Sequence, residues 1–167
     1  DIDFSLKAGE IHGLVGENGA GKSTLIKLLT GVYQLREGRI LWNGEPVSVT
    51  SPADSRALGI RVIHQDRTLI PTFNGIENCY LGLEYPTRLG RVDWAAMERR
   101  VRQTMESLGI GLDLKKTAAE LSPPQRTELE IVRAMMTDCR LLILDEPTAS
   151  LTDQESQRLS KLLRSLR

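Results

Sequence analysis

Residues 16–24 read GENGAGKST, and their types are those needed to hold a chain of phosphates. Gly16, Gly19 and Gly21 let the backbone bend so that successive N–H groups point inward at anionic oxygens. Glu17, Asn18 and Ala20 complete the loop, and a helix opening at its end adds the positive end of a dipole. Lys22 brings a compact positive charge to the β- and γ-phosphates. Ser23, followed by Thr24, offers a hydroxyl to Mg2+, which prefers oxygen ligands. The run fits G-x-x-x-x-G-K-[ST] with an apolar strand pattern before it and a helix pattern after it, the context that separates a phosphate loop from a glycine-rich turn.

Such a loop needs a carboxylate for the metal shell, normally at the end of a neighbouring apolar strand. LLILDEP (141–147) supplies Asp145 at that place. Glu146 follows it and is positioned by sequence to polarise an attacking water, which makes hydrolysis the expected reaction.

The elements that must carry these groups are readable in outline. Ile2, Phe4 and Leu6 alternate as in a strand, and EIHGLV (10–15) is a short apolar strand pattern leading into the loop. Ser23–Thr30 reads as a helix stopped by Gly31. Residues 38–49 form a hairpin pattern turning at Asn43-Gly44. Ser51-Pro52 opens a short helix through Leu58, and IRVIH (60–64) is a further strand. From about 70 to 120 the texture is helical. Asp93 caps a helix whose Trp94, Met97, Val101, Met105 and Leu108 recur at core spacing, closed by Gly109. LLILD (141–145) has the uniform apolarity of a parallel strand, and Thr152 with Glu155 forms a capping box for the last helix.

The expected fold is α/β: a P-loop NTPase core of the RecA-like type with a mostly parallel sheet, an inserted α-helical subdomain and a small antiparallel β region. The chain reads as one domain over 1–167, cut at both ends, with the core at 1–70 and 126–167 and the helical subdomain at about 71–125. At 167 residues, 40% hydrophobic and 26% charged, it has the composition of a globular domain with a real core. Lys+Arg and Asp+Glu are equal at 22 each, so no global basic field points to nucleic acid. The four arginines of RVDWAAMERRVR read as a solvated helix face. The longest apolar run, Leu141–Leu144, is far short of a membrane span. Cys79 and Cys139 lie far apart without metal-ligand spacing and read as reduced thiols. His12 reads as a core or edge residue of its strand, and His64, next to Gln65, as structural unless it faces the site.

GENGAGKST, Gln65 after a strand, LSPPQ (121–125), LLILDEP and ASLT (149–152) stand in the order used by ATP-binding-cassette ATPases, and the chain resembles that family over essentially its whole length. GEIHGLVGENGAGKSTLIKLLTGVYQ and SPADSRALGIRVIHQD resemble the N-terminal cassette of the sugar-importer branch. The resemblance implies an ATP-binding and hydrolysing subunit, with ATP and Mg2+, on the cytoplasmic face of the cell membrane. It implies a second cassette paired head to tail, transmembrane permease subunits and, indirectly, a periplasmic or extracellular sugar-binding protein; nucleic acid is not among the implied partners. By the same resemblance Gln65 joins Ser23 and Asp145 around the metal, Glu146 is catalytic, and Pro71–Gly82 meets the permease. Ser150–Thr152 belongs to a loop communicating between cassettes, where Thr152 replaces the usual aspartate. An adenine-stacking aromatic is expected upstream of residue 1 and a γ-phosphate histidine beyond residue 167.

The signature segment of that family, usually Leu-Ser-Gly-Gly-Gln, acts on the nucleotide held by the opposite cassette. Here Ser122 is kept, Pro123 and Pro124 replace the glycines, and Gln125 is kept. Each proline removes a backbone donor, yet Ser122 as N-cap, Pro123 at the first helical position and Gln125 reaching back make a sound helix start. The expectation is an asymmetric pair of ATP sites. Two other readings stand beside it: an ABC ATPase coupled to soluble work, and a nucleotide-binding switch or scaffold with little hydrolysis.

Overall fold

The computed structural model describes residues 2–17, 19–64, 68–148 and 151–166. In chain order the helices are α1 (Lys22–Leu29), α2 (Pro52–Ala57), α3 (Gly75–Cys79), α4 (Trp94–Ser107), α5 (Pro123–Met135) and α6 (Asp153–Ser165). The strands are β1 (Ile40–Trp42), β2 (Glu45–Val47), β3 (Ile60–Ile63), β4 (Thr87–Arg88), β5 (Arg91–Val92) and β6 (Leu141–Leu144). The chain is thus α/β.

The helix starts follow local chemistry. Ser51 caps α2, accepting from Asp54 N–H, while the Asp54 carboxylate accepts from Ser51 N–H at 2.9 Å. Asp93 accepts from Ala96 N–H at 2.9 Å to open α4. Thr152 and Glu155 close a reciprocal box on α6, Glu155 accepting from Thr152 N–H at 2.8 Å. The β1–β2 hairpin turns at Asn43 (φ 53°) and Gly44 (φ 84°), the left-handed pair a two-residue turn demands.

β3 and β6 run parallel, with Ile60 opposite Leu141 and Ile63 opposite Leu144. Asp145 N–H donates to Ile63 O at 2.9 Å and extends this ladder by one bond. The core lies to one side of the pair. Met97 and Val101 of α4, Leu129, Ile131 and Val132 of α5, and Tyr80 after α3 are almost completely buried, and Leu159 and Leu162 of α6 join the same cluster. A salt bridge ties α5 to α6: Arg158 Nε lies 2.9 Å from Glu128 Oε1. Burial pushes the Glu128 carboxyl up, with Arg158 opposing. Burial also pushes the Cys79 thiol up to about 12, as expected of an inert thiol.

Three expectations are corrected. Residues 2–6 and 10–15 form no ladder; Ile2 is 67% and Val15 93% exposed. Alternation states which face a strand would bury, but a strand exists only with a hydrogen-bonded neighbour, and β6 has none on its second edge among the described residues. β6 is accordingly half-buried along its length. Trp94 is 51% exposed rather than core, because α4 buries the face of Met97, Val101 and Met105 one turn further on. The 71–125 stretch also holds a second antiparallel pair, β4–β5, which the helical texture concealed.

Candidate functional site

α1 begins at Gly21, whose φ of 93° only glycine adopts readily, and no side chain caps it. Its first turn contains no acidic residue. The amide-rich, positive end of this helix is therefore left uncompensated, as an anion site requires. Gly19 is also left-handed (φ 88°), with open space where a Cβ would stand. Glu17 O accepts from Ala20 N–H at 3.1 Å and closes the loop, and a Cβ on Gly16 would come within 3.2 Å of the Ala20 methyl. Lys22 folds back over this loop: its ammonium donates to Gly16 O and, at 2.9 Å, to Glu17 O. Ser23 and Thr24 are exposed on the first turn. Asn18 lies outside the described residues.

Lys22, Asp145 and Glu146 border one cavity of about 560 Å3, enclosed by residues 6–14, α1, β6 and the end of α6. Most of its wall is apolar, including Leu25, Ile26 and Leu141–Leu144. Asp145 is half-buried just past β6, and Glu146 is exposed. Glu146 has φ 49°, a left-handed backbone on a non-glycine residue. Such outliers persist where the surroundings impose them and cluster at functional sites. Pro147 is a sequence signal for part of this, because a following proline disfavours the right-handed helical region.

Gln65 lies outside the described residues, as does Ser150. The register of β3 against β6 brings the chain out of both strands at the same sheet edge. His64 is exposed there, and His12 pairs with Glu10 at 3.2 Å on the surface, so His12 is not a core residue. Ser122–Gln125 do not line the cavity. Ser122 is the N-cap of α5, Pro123 and Pro124 occupy its first positions, and Gln125 Oε1 accepts from Ser122 N–H at 2.9 Å. Thr152 spends its hydroxyl on the α6 cap.

Sequence reading missed Asn78. This fully buried carboxamide accepts from Ile70 N–H at 2.8 Å and donates to Ile70 O, Phe73 O and Asn74 O at 3.2, 2.9 and 3.1 Å. The short 3-10 turn Ala118–Glu120 adds Ala118 N–H to Phe73 O and Ala119 N–H to Pro71 O, both at 2.9 Å. Together they hold the start of the 71–82 surface. A lone Asn within a short helix gives no sequence signal for this role.

A family model described as ABC transporter matches residues 1–149. The chain is 46% identical to the ribose import ATP-binding protein RbsA of Chromobacterium violaceum, an alignment covering 100% of this chain and 33% of that protein. It is 44% identical to the arabinose import ATP-binding protein AraG of Paraburkholderia xenovorans, over 99% of this chain and 32% of that protein. The chain thus spans about a third of the length of these curated relatives. Among solved structures, cbiO1 from Clostridium perfringens, part of the ABC transporter complex cbiONQ, superposes with TM-score 0.81 at 27% identity, covering 99% of this chain and 65% of that one. A nucleotide-free ATP-binding cassette from an ABC transporter superposes with TM-score 0.82 at 25% identity, covering 98% of this chain and 68% of that one.

Proposed function

This chain belongs to the ABC transporter family, and on that premise we propose that it binds and hydrolyses ATP to power carbohydrate import. The supporting observation is the uncapped α1 terminus with Lys22 above it, bordering the same cavity as Asp145 and Glu146. The whole chain, 1–167, acts as one nucleotide-binding unit in this reading, its core at 1–70 and 126–167 and its helical part at about 71–125.

The first-turn amides of α1 and the loop amides of residues 16–21 receive phosphate oxygens, and Lys22 exchanges its contacts with Gly16 O and Glu17 O for the terminal phosphates. One exposed hydroxyl, Ser23, and one carboxylate, Asp145, suit Mg2+, which keeps water and phosphate oxygens for its other positions; Gln65 would complete this set. When bound, the metal neutralises charge on the phosphates. Glu146 accepts the proton of the attacking water. Calorimetry on the full-length protein checks the premise. Lys22→Ala is expected to weaken Mg-ATP binding about tenfold to a hundredfold, the equivalent of ~1.5–3 kcal/mol for a charge-assisted bond. Unchanged affinity would sink the reading.

The partners in this reading are a second cassette in a head-to-tail pair, permease subunits meeting the 71–82 surface, and indirectly a sugar-binding protein. The place of action is the cytoplasmic face of the membrane. The relatives' names, which specify ribose and arabinose import, support the carbohydrate.

The pair is asymmetric. At the start of α5, Pro123 and Pro124 have no N–H, Ser122 N–H is taken by Gln125, and Arg126 N–H is taken by Ser122 O at 3.0 Å. The capping box turns Gln125 N–H to the Ser122 side chain, so the Ser122 O–H is the donor left to meet the partner's γ-phosphate. Replacing both prolines by glycine is expected to raise turnover at the partner's site about tenfold to a hundredfold. The measurement is steady-state ATPase with this chain's own site silenced; no increase would show that the prolines cost nothing.

A further inference from the structure

Leu89 stands at the tip of the β4–β5 hairpin, 97% exposed and with a left-handed backbone of φ 52°. Two-residue turns of this hand normally place Asn, Asp or Gly there, because larger side chains crowd their own backbone. The Asn43-Gly44 turn of the same chain obeys that rule. Leu89 is thus disfavoured both by its backbone and by its contact with water.

A second observation is independent of the first. Arg88 and Arg91 are direct register partners across the hairpin, so their side chains leave the same face. Like charges placed this way repel, and neither arginine has an ion-pair partner among the described residues. The nearby Asp93 carboxylate is turned to Ala96 N–H. Tyr85 at 46% and Trp94 at 51% exposure stand on either side of the hairpin in sequence.

We propose that this hairpin docks on an anionic phospholipid surface. Two adjacent unpaired guanidiniums call for phosphate oxygens, which they bind bidentately. An apolar tip projecting beside them calls for hydrocarbon directly beneath those anions. Tyrosine and tryptophan favour the boundary between the two. A bilayer surface has this order of chemistries, whereas free phosphate leaves Leu89 in water. With two arginines the contact is a weak, salt-sensitive tether. The proposal rests on the reading of this chain as part of a membrane transporter, and it is separable from nucleotide binding.

The test is sedimentation of the full-length protein with vesicles of equal phosphatidylglycerol and phosphatidylcholine, against phosphatidylcholine alone. Several-fold greater binding to the anionic vesicles is expected, fading at high salt. Leu89→Gly is expected to lower that binding several-fold while holding or raising the thermal midpoint, because glycine suits the backbone. A binding loss of that kind cannot come from unfolding. Arg88→Gln with Arg91→Gln is expected to remove the preference for anionic lipid, and Lys22→Ala to leave it intact while nucleotide binding falls. Equal partition into both vesicles, or wild-type binding by the hairpin variants, overturns the proposal. So does unaltered vesicle binding with reduced copurification of the permease, which would assign the patch to an acidic protein segment.

Discussion

Glu146→Gln in the full-length protein is expected to lower ATP turnover at the site of Lys22 by about 10²–10⁴-fold while leaving Mg-ATP binding in place. Glutamine has nearly the same size and keeps a hydrogen-bonding oxygen, but it cannot take a proton from water. The left-handed backbone at 146 follows the strand end, where Asp145 N–H is held by Ile63 O, and precedes Pro147, which disfavours the right-handed helical region there. The substitution therefore changes the charge of this side chain and leaves the loop and the α1 residues proposed to receive phosphate unaltered. Single-turnover hydrolysis, with the partner site silenced, is the measurement. A residual rate within tenfold of wild type would remove Glu146 from the role of base and favour a nucleotide switch that hydrolyses little.

Gly31→Ala is expected to destabilise the fold by about 2–5 kcal/mol, combining left-handed strain of about 1–2 kcal/mol with overpacking of about 1–3 kcal/mol. Gly31 ends α1 with φ 69°, and a Cβ there would lie 2.4 Å from Ser51 O and 2.8 Å from Ser51 N. Both atoms are backbone, and Ser51 cannot yield easily because it is the N-cap of α2, its N–H held by Asp54. The contact locks the end of the phosphate-loop helix onto the start of α2. Gly38→Ala provides the control: φ is 95° but the space beyond is open, so only the conformational part of the cost applies, about 1–2 kcal/mol. Urea unfolding midpoints compare the two. Equal shifts would show that the approach to Ser51 carries no energy of its own.

The helix starts at Ser51, Asp93 and Thr152 and the turn at Asn43-Gly44 were legible because each is made by residues within a few positions of one another. The left-handed glycine turn before α1 was legible for the same reason, as was the placing of Asp145 and Glu146 just past an apolar strand. The helix start in the LSPPQ segment was legible as well. That Pro123 and Pro124 begin a helix is local chemistry, whereas the engagement of the remaining backbone N–H groups there also depends on Gln125 turning back to Ser122.

Other features required the folded chain. Alternation at 2–6 and apolarity at 10–15 suggested strands, but pairing depends on neighbours that no single segment contains. Trp94 shares the apolar face of α4 and is nevertheless left outside, since it stands on the first turn and the packing begins one turn further on at Met97. Asn78 and Gly31 are ordinary residues in sequence; their importance comes from the backbone of other segments brought against them.

The sequence by itself determined the chemistry available, because a glycine-rich loop, a lysine, a hydroxyl and two carboxylates are properties of residue type and short spacing. Tertiary structure alone decided that Lys22, Asp145 and Glu146 border one cavity, that Trp94 is left exposed at the end of its apolar stripe, and that Gly31 is pressed against Ser51. Those outcomes depend on contacts between groups far apart in the chain, whose energies no local pattern encodes.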